Sequence, residues 1–89
     1  MANFMIEMPH TNDQCMRELD EMAESGRDLL NKTYWGCMAG SHTGWAMVEA
    51  GSESDVWNMV PAAIRDEVNI VEISKFTPDQ IREMHKMAA

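Results

Sequence analysis

Hydrophobic positions along the chain switch between a strand-like and a helix-like period, and this pattern predicts the order of the elements. Residues 3–8 and 68–74 have apolar side chains at both odd and even positions, as in strands that are buried on both faces. Residues 33–38 and 43–50 are rich in residues that favour strands, and the turn between them predicts a hairpin. Four strands are therefore expected.

The segment after the first strand carries helix signals. Thr11 and Gln14 match a capping box, and Cys15, Leu19 and Met22 follow with helical spacing. The charged positions on the opposite side of this helix predict a solvated face, and they are Arg17, Glu18, Asp20, Glu21 and Glu24.

Two further helix starts follow the hairpin. Ser52 stands three residues before Asp55 in a capping pattern, and Pro78 follows Thr77 at the first position of a last helix. The apolar positions expected to dock this last helix on the domain are Ile81, Met84, Met87 and Ala88.

The resulting order is βαββαβ with an extra C-terminal helix, which predicts a single ferredoxin-like α+β domain over residues 1–89. The expected antiparallel sheet has the order 4-1-3-2, with both crossover helices on one face. Apolar residues also occur on the other face, among them Met5, Trp45, Met47, Val71 and Ile73. Because so short a chain has no second layer to cover them, we expect sheet-to-sheet packing in a homodimeric α+β barrel.

Composition and charge restrict the partners. The chain has 15 acidic and 7 basic residues and a formal net charge of −8, which disfavours nucleic acid and anionic membrane surfaces. No stretch approaches the roughly 20 apolar residues of a membrane span, and the first residues show no export signal. We therefore expect a cytoplasmic protein in which Cys15 and Cys37 are free thiols.

Several segments together resemble the dimeric α+β barrel superfamily: residues 4–10, residues 35–42, Trp45 and residues 71–77. They are most similar to small ferredoxin-like proteins of this superfamily, which also includes muconolactone-isomerase-like proteins and cofactor-free, antibiotic-monooxygenase-like enzymes. The resemblance implies the barrel dimer but no particular reaction, because the superfamily contains isomerases, monooxygenases, haem-degrading enzymes and binding proteins.

The predicted topology brings reactive side chains to one end of the sheet. His10 follows the first strand, Cys37 lies near the end of the second, and His42 lies in the hairpin turn. Thiolate and imidazole groups suit zinc, copper, nickel or iron, so these three residues are the candidate metal ligands. Cys15 begins the helix at the same end, but its spacing with apolar helix positions assigns it to the core.

Carboxylates within the strands form a second candidate site. Glu7, Glu49 and Glu72 either point into an apolar barrel interior or lie at its rims beside basic residues. In the interior, burial would raise their pKa values and suit them to proton transfer. Three aromatic residues either line a pocket for a flat ligand or anchor the subunit interface, and they are Tyr34, Trp35 and Trp45.

The sequence leaves three functions open. The first is a homodimeric binding protein that holds a small ligand or a soft transition metal near the mouth of the barrel, at the end of the sheet where the first two strands finish. The second is a cofactor-free isomerase or monooxygenase that uses the barrel cavity, with Glu7, His10 or His42 as the proton carrier. The third is a structural or regulatory module without a ligand.

Overall fold

A computed structural model, which describes residues 1–88, contains one four-stranded sheet with helices on one of its faces. The strands are β1 (Ala2–Pro9), β2 (Thr33–Trp35), β3 (Thr43–Ala50) and β4 (Asn69–Ile73). The helices are α1 (Cys15–Ser25), α2 (Arg27–Leu30), α3 (Glu53–Trp57) and α4 (Pro78–Ala88). Short 3₁₀ helices lie at Asn12–Gln14, Cys37–Ala39 and Ala62–Glu67. Within residues 1–88, no helix combines the length and the apolar character that crossing a bilayer requires.

The strands follow the order β2-β3-β1-β4, which is the predicted order 4-1-3-2 read from the opposite edge. β1 is central and pairs antiparallel with both β3 and β4, and β2 pairs antiparallel with β3. The predicted ferredoxin-like α+β fold is confirmed at this level. The dimeric barrel stays a prediction.

The hydrophobic core lies between the sheet and helices α1 to α3. Phe4, Ile6 and Met8 alternate along β1 and are all buried, as the period of a strand with one covered face requires. The buried residues that pack with them are Met22, Leu29, Ala46, Val48, Ala50, Val56, Val60, Ile64 and Val68.

The opposite side of the sheet, here called the open face, includes Met5, Tyr34, Trp45, Met47 and Val71. Met5 pairs with Met47 on one side and with Val71 on the other, so these three side chains project from the same surface. Met47 is 59% exposed and Val71 is 57% exposed. Both faces of the sheet therefore carry apolar residues, but helices cover only one of them.

α4 extends from the domain instead of docking on it. Ile81, Met84 and Met87 are 45%, 49% and 83% exposed, so the predicted docking of these residues is wrong. The helix has its own capping box, because the Thr77 N–H donates to Oε1 of Gln80 at 2.8 Å and the Gln80 N–H donates to Oγ1 of Thr77 at 3.1 Å. A helical period shows that one side is apolar but does not identify what covers it. Ala88, also predicted to dock, belongs to α4, but its side chain is outside what the structure describes.

Candidate metal centre

Four side chains converge where β1 ends, and we call them the ligand cluster: His10, Cys15, Cys37 and His42. One nitrogen or sulfur atom from each lies within 4.8 Å of the corresponding atoms of the other three. Sγ of Cys37 is 3.2 Å from Sγ of Cys15 and 3.2 Å from Nε2 of His10. All four residues are partly buried. The cluster therefore has the donor atoms and the spacing to hold a metal ion.

The chain ends β1 at Pro9 and so places His10 beside the hairpin. Proline has no N–H to continue a strand ladder. The next N–H, from His10, donates to the carbonyl oxygen of His42 at 3.0 Å. This bond fixes the two histidines to each other through the backbone, and their ring centroids are 5.9 Å apart.

The loop between β2 and β3 brings Cys37 close to His42. The structure ends β2 at Trp35, three residues before the predicted end at residue 38, because the chain turns there into the 3₁₀ helix Cys37–Ala39. A Cβ atom on Gly36 would lie only 2.6 Å from the carbonyl oxygen of Ser41, so the close return of the chain needs glycine at this position.

A buried carboxyl group orients the His10 ring. Oε2 of Glu18 is 2.7 Å from Nδ1 of His10, and both side chains are fully buried. The carbonyl oxygen of Met8 is a second neighbour of Nδ1 at 3.2 Å. Two acceptors at Nδ1 favour the tautomer with the proton there, which leaves Nε2 as the free donor atom facing Cys37.

Glu18 and Glu67 are neighbouring carboxyl groups with opposite pKa shifts. Burial, followed by the hydrogen bond with Glu67 and the negative charge of Glu67, raises the pKa of Glu18 from 4.5 to about 8. The same hydrogen bond and the guanidinium of Arg17 lower the pKa of Glu67. Nη2 of Arg17 lies 2.6 Å from Oε1 of Glu67. In the metal-free protein at neutral pH, Glu18 therefore holds the proton and Glu67 carries the charge.

Nδ1 of His42 is buried and has no hydrogen-bond partner within the described part of the chain. A buried polar atom left in this state costs free energy, and such atoms are rare in native proteins. A metal ion bound in the ligand cluster would give a histidine nitrogen at this position a partner.

Cys37, His10 and Glu18 also form a chain of contacts that resembles a nucleophile, its general base and the acid that orients the base. However, burial and the hydrogen bond with Cys15 raise the pKa of the Cys37 thiol. Catalytic thiols need the opposite shift, whereas a metal ion deprotonates a coordinating thiol directly. The electrostatics favour metal binding over attack on a substrate.

The sequence placed all four cluster residues at one end of the sheet but took only His10, Cys37 and His42 as metal ligands. Cys15, assigned to the core, instead lies with them, and Glu18, assigned to a solvated face, is fully buried. The missed signal is the spacing, because Glu18 lies three residues after Cys15 and four before the buried Met22 on one helical face.

The structure does not bring the three strand glutamates together. Glu7 pairs with Trp45, and Glu49 also lies on the open face, opposite Asn3. Glu72 pairs with Phe4, so it projects from the side of the sheet that carries the core and is exposed at the edge strand. The expectation of one shared acidic interior is wrong for Glu72.

The three aromatic residues are divided in the same way. Tyr34 pairs with Trp45 on the open face, whereas Trp35 pairs with Gly44 and projects from the opposite side. The Trp35 ring centroid lies 6.0 Å from that of His10. Trp35 therefore packs beside the ligand cluster, and only Tyr34 and Trp45 remain candidates for a pocket or an interface on the open face.

No protein family model, curated protein or solved structure matches this chain. The likeness to the dimeric α+β barrel superfamily therefore stays a prediction, and the functional argument depends on the geometry of the site.

Proposed function

We propose that the protein binds one Zn²⁺ ion in the ligand cluster. The ligand atoms are Nε2 of His10, the Sγ atoms of Cys15 and Cys37, and a ring nitrogen of His42. The observation that carries the proposal is the convergence of these four donors from separate parts of the chain to within 4.8 Å of one another.

The donor set and its dimensions support zinc. Two thiolates and two imidazoles form a typical tetrahedral zinc set, and two thiolates neutralise the charge of the ion. Zn–S bonds of about 2.3 Å and Zn–N bonds of about 2.0 Å place tetrahedral ligands roughly 3.3 to 3.8 Å apart. The separations in the structure, from 3.2 Å to at most 4.8 Å, need only small side-chain movements to reach that geometry.

A site with four protein ligands leaves no position for a substrate and is typical of structural zinc. The ion would connect the residue after β1, the first residue of α1 and both sides of the β2–β3 loop. We therefore propose that zinc stabilises this end of the sheet.

A Co²⁺ and Zn²⁺ titration of the reduced, metal-free protein tests the proposal. Co²⁺ should produce the visible bands of a tetrahedral thiolate complex, and one equivalent of Zn²⁺ should abolish them. Cys37→Ser and His42→Ala should weaken Zn²⁺ binding by more than the roughly 100-fold that loss of an outer partner costs.

The control is His85→Ala, which removes the third histidine of the chain, an exposed residue of α4. This variant should bind Zn²⁺ as the parent protein does. Equal affinities for the His42 and His85 variants, or a cobalt spectrum of six-coordinate type, would contradict the proposed ligand set.

We also propose that the open face packs against the open face of a second copy. Tyr34, Met47 and Val71 support this because they form an exposed apolar surface that no helix within residues 1–88 covers. Native mass spectrometry of the reduced protein should give a dimer. A monomer at micromolar concentration would argue against this interface and leave the zinc proposal intact.

A further inference from the structure

Two of the proposed zinc ligands are also close enough to react with each other. Sγ of Cys15 and Sγ of Cys37 are 3.2 Å apart, and the residues are separated by 22 positions in the sequence. A disulfide bond is about 2.05 Å long, so the sulfur atoms must approach by roughly 1.1 Å to form one. Both residues are free cysteines in the structure.

A small oxidant can approach the pair, and a proton acceptor lies beside Cys37. Both cysteines are only partly buried, so a small oxidant can reach the sulfur atoms. Nε2 of His10, 3.2 Å from Sγ of Cys37, can accept the thiol proton. The two cysteines come from different elements, the start of α1 and the 3₁₀ helix after β2, so their bond would connect distant parts of the chain.

We propose that Cys15 and Cys37 form a reversible intramolecular disulfide when a peroxide oxidises them, and that this disulfide and the zinc ion exclude each other. The exclusion rests on the proposed zinc binding, whereas the disulfide itself does not.

The reaction balances with hydrogen peroxide as the oxidant. One thiolate attacks a peroxide oxygen, the O–O bond breaks, and a sulfenic acid and one water form. The second thiol attacks the sulfenic sulfur, the S–S bond forms, and a second water leaves. Two thiols and one peroxide thus give one disulfide and two waters, with two electrons passing from sulfur to oxygen.

The exclusion follows from the identity of the donors. Zinc binds the thiolate form of cysteine, and the disulfide has none. Oxidation would leave only His10 and His42 of the four ligands, and the ion would be released with its charge unchanged because Zn²⁺ has no redox chemistry. Reduction of the disulfide would restore all four ligands.

The first experiment uses the full-length, metal-free protein and a small excess of hydrogen peroxide. Intact mass should fall by two hydrogen atoms, both thiols should be lost to alkylation, and a dithiol reductant should restore them. Cys15→Ser is the matched variant, because its remaining thiol should gain oxygen instead. Intermolecular crosslinks, or oxygen added to the parent protein without loss of two hydrogens, would overturn the disulfide.

The second experiment repeats the oxidation on protein loaded with one Zn²⁺ and follows free zinc with a chromogenic chelator. One zinc should be released for each disulfide, and reduction should restore binding. Oxidised protein that keeps its zinc would overturn the exclusion. A protein that forms the disulfide but binds no zinc when reduced would overturn both the exclusion and the proposed function, while the reversible disulfide would stand.

Discussion

At the scale of single residues, the partners of Glu18 determine what the site can bind. Its carboxyl group is fully buried and lies 2.7 Å from Nδ1 of His10, and Glu67 helps to raise its pKa. A carboxyl group in this position fixes the orientation of the imidazole and increases its strength as a ligand. In the proposed zinc site, Glu18 is therefore a positioning residue for His10 and not one of the four ligands.

Glu18→Gln should weaken zinc binding by about 10- to 100-fold, because the amide keeps the size of the side chain but cannot ionise to the carboxylate that would support a metal-bound His10. Chelator competition on the reduced protein measures the change. Glu24→Gln, at an exposed position of the same helix, is the control and should bind zinc as the parent does. A parent-like affinity for Glu18→Gln would show that His10 needs no carboxylate.

The same residue predicts a dependence of stability on pH in the metal-free protein. The pKa of Glu18 is raised from 4.5 to about 8 on folding, so between these values the folded state holds a proton that the unfolded state has lost. The free energy of unfolding should therefore fall as pH rises through this range, by up to about 1.4 kcal/mol per pH unit. Below pH 4.5 this residue contributes no slope.

Urea unfolding at several pH values between 5 and 8, in chelator and reductant, measures this slope. Glu18→Gln has no proton to lose, so its free energy of unfolding should depend less on pH. The stability of this variant relative to the parent should therefore increase as pH rises. Glu24→Gln should retain the parent profile. If the free energy of unfolding of the parent and of Glu18→Gln varied with pH in the same way, Glu18 would not be a buried, protonated carboxyl group.

At the scale of elements, the β2–β3 loop carries two of the four proposed ligands, Cys37 and His42, and contains one residue in a left-handed conformation. Gly40 has φ of 87°, the left-handed region, and ends the 3₁₀ helix that begins at Cys37. A Cβ atom there would meet nothing within 4 Å, so any cost of a larger residue comes from the backbone alone.

Gly40→Ala should destabilise the protein by about 1 kcal/mol, because alanine adopts the left-handed conformation less readily than glycine. Gly51→Ala is the matched control, since Gly51 also lies in a loop but has an ordinary φ and room for a Cβ atom. Urea unfolding of both variants provides the comparison. Equal losses of stability would show that the left-handed turn is unimportant.

The element scale also shows how far the sequence could predict the site. Strand periods and chain direction were enough to place His10, Cys37 and His42 at one end of the sheet. They could not show that Cys15 and Glu18 turn towards that end, because the helical period is compatible with several rotations of α1. Packing against β1 and the loop selects the rotation. The buried pairing of Glu18 with His10 is a tertiary contact between residues whose local patterns predicted other environments.

At the scale of the whole molecule, two features point to assembly and one opposes it. The open face and the apolar side of α4 are both exposed, as Met47 and Met84 illustrate. Against this, each chain carries a net charge of −8, so two copies repel each other. The balance between apolar burial and charge repulsion would determine the affinity of the proposed dimer.

Met47→Lys should shift the protein to a monomer, because it places a charge at the centre of the proposed interface, next to Met5. Met16→Lys is the control, since Met16 is similarly exposed, at 65% against 59%, but lies on α1. Sedimentation velocity compares the two variants with the parent. A dimer that survives Met47→Lys would place the contact elsewhere, and the exposed side of α4 would be the next surface to alter.

Salt should strengthen the dimer. The Debye length falls from about 30 Å at 10 mM ionic strength to about 8 Å at 150 mM, which screens repulsion between two chains of charge −8. Burial of apolar residues such as Met47 and Val71 is not weakened by the same salt. The dissociation constant from sedimentation equilibrium should therefore decrease as sodium chloride is raised over this range. An increase would mean that attractive charge pairs, and not apolar burial, hold the subunits together.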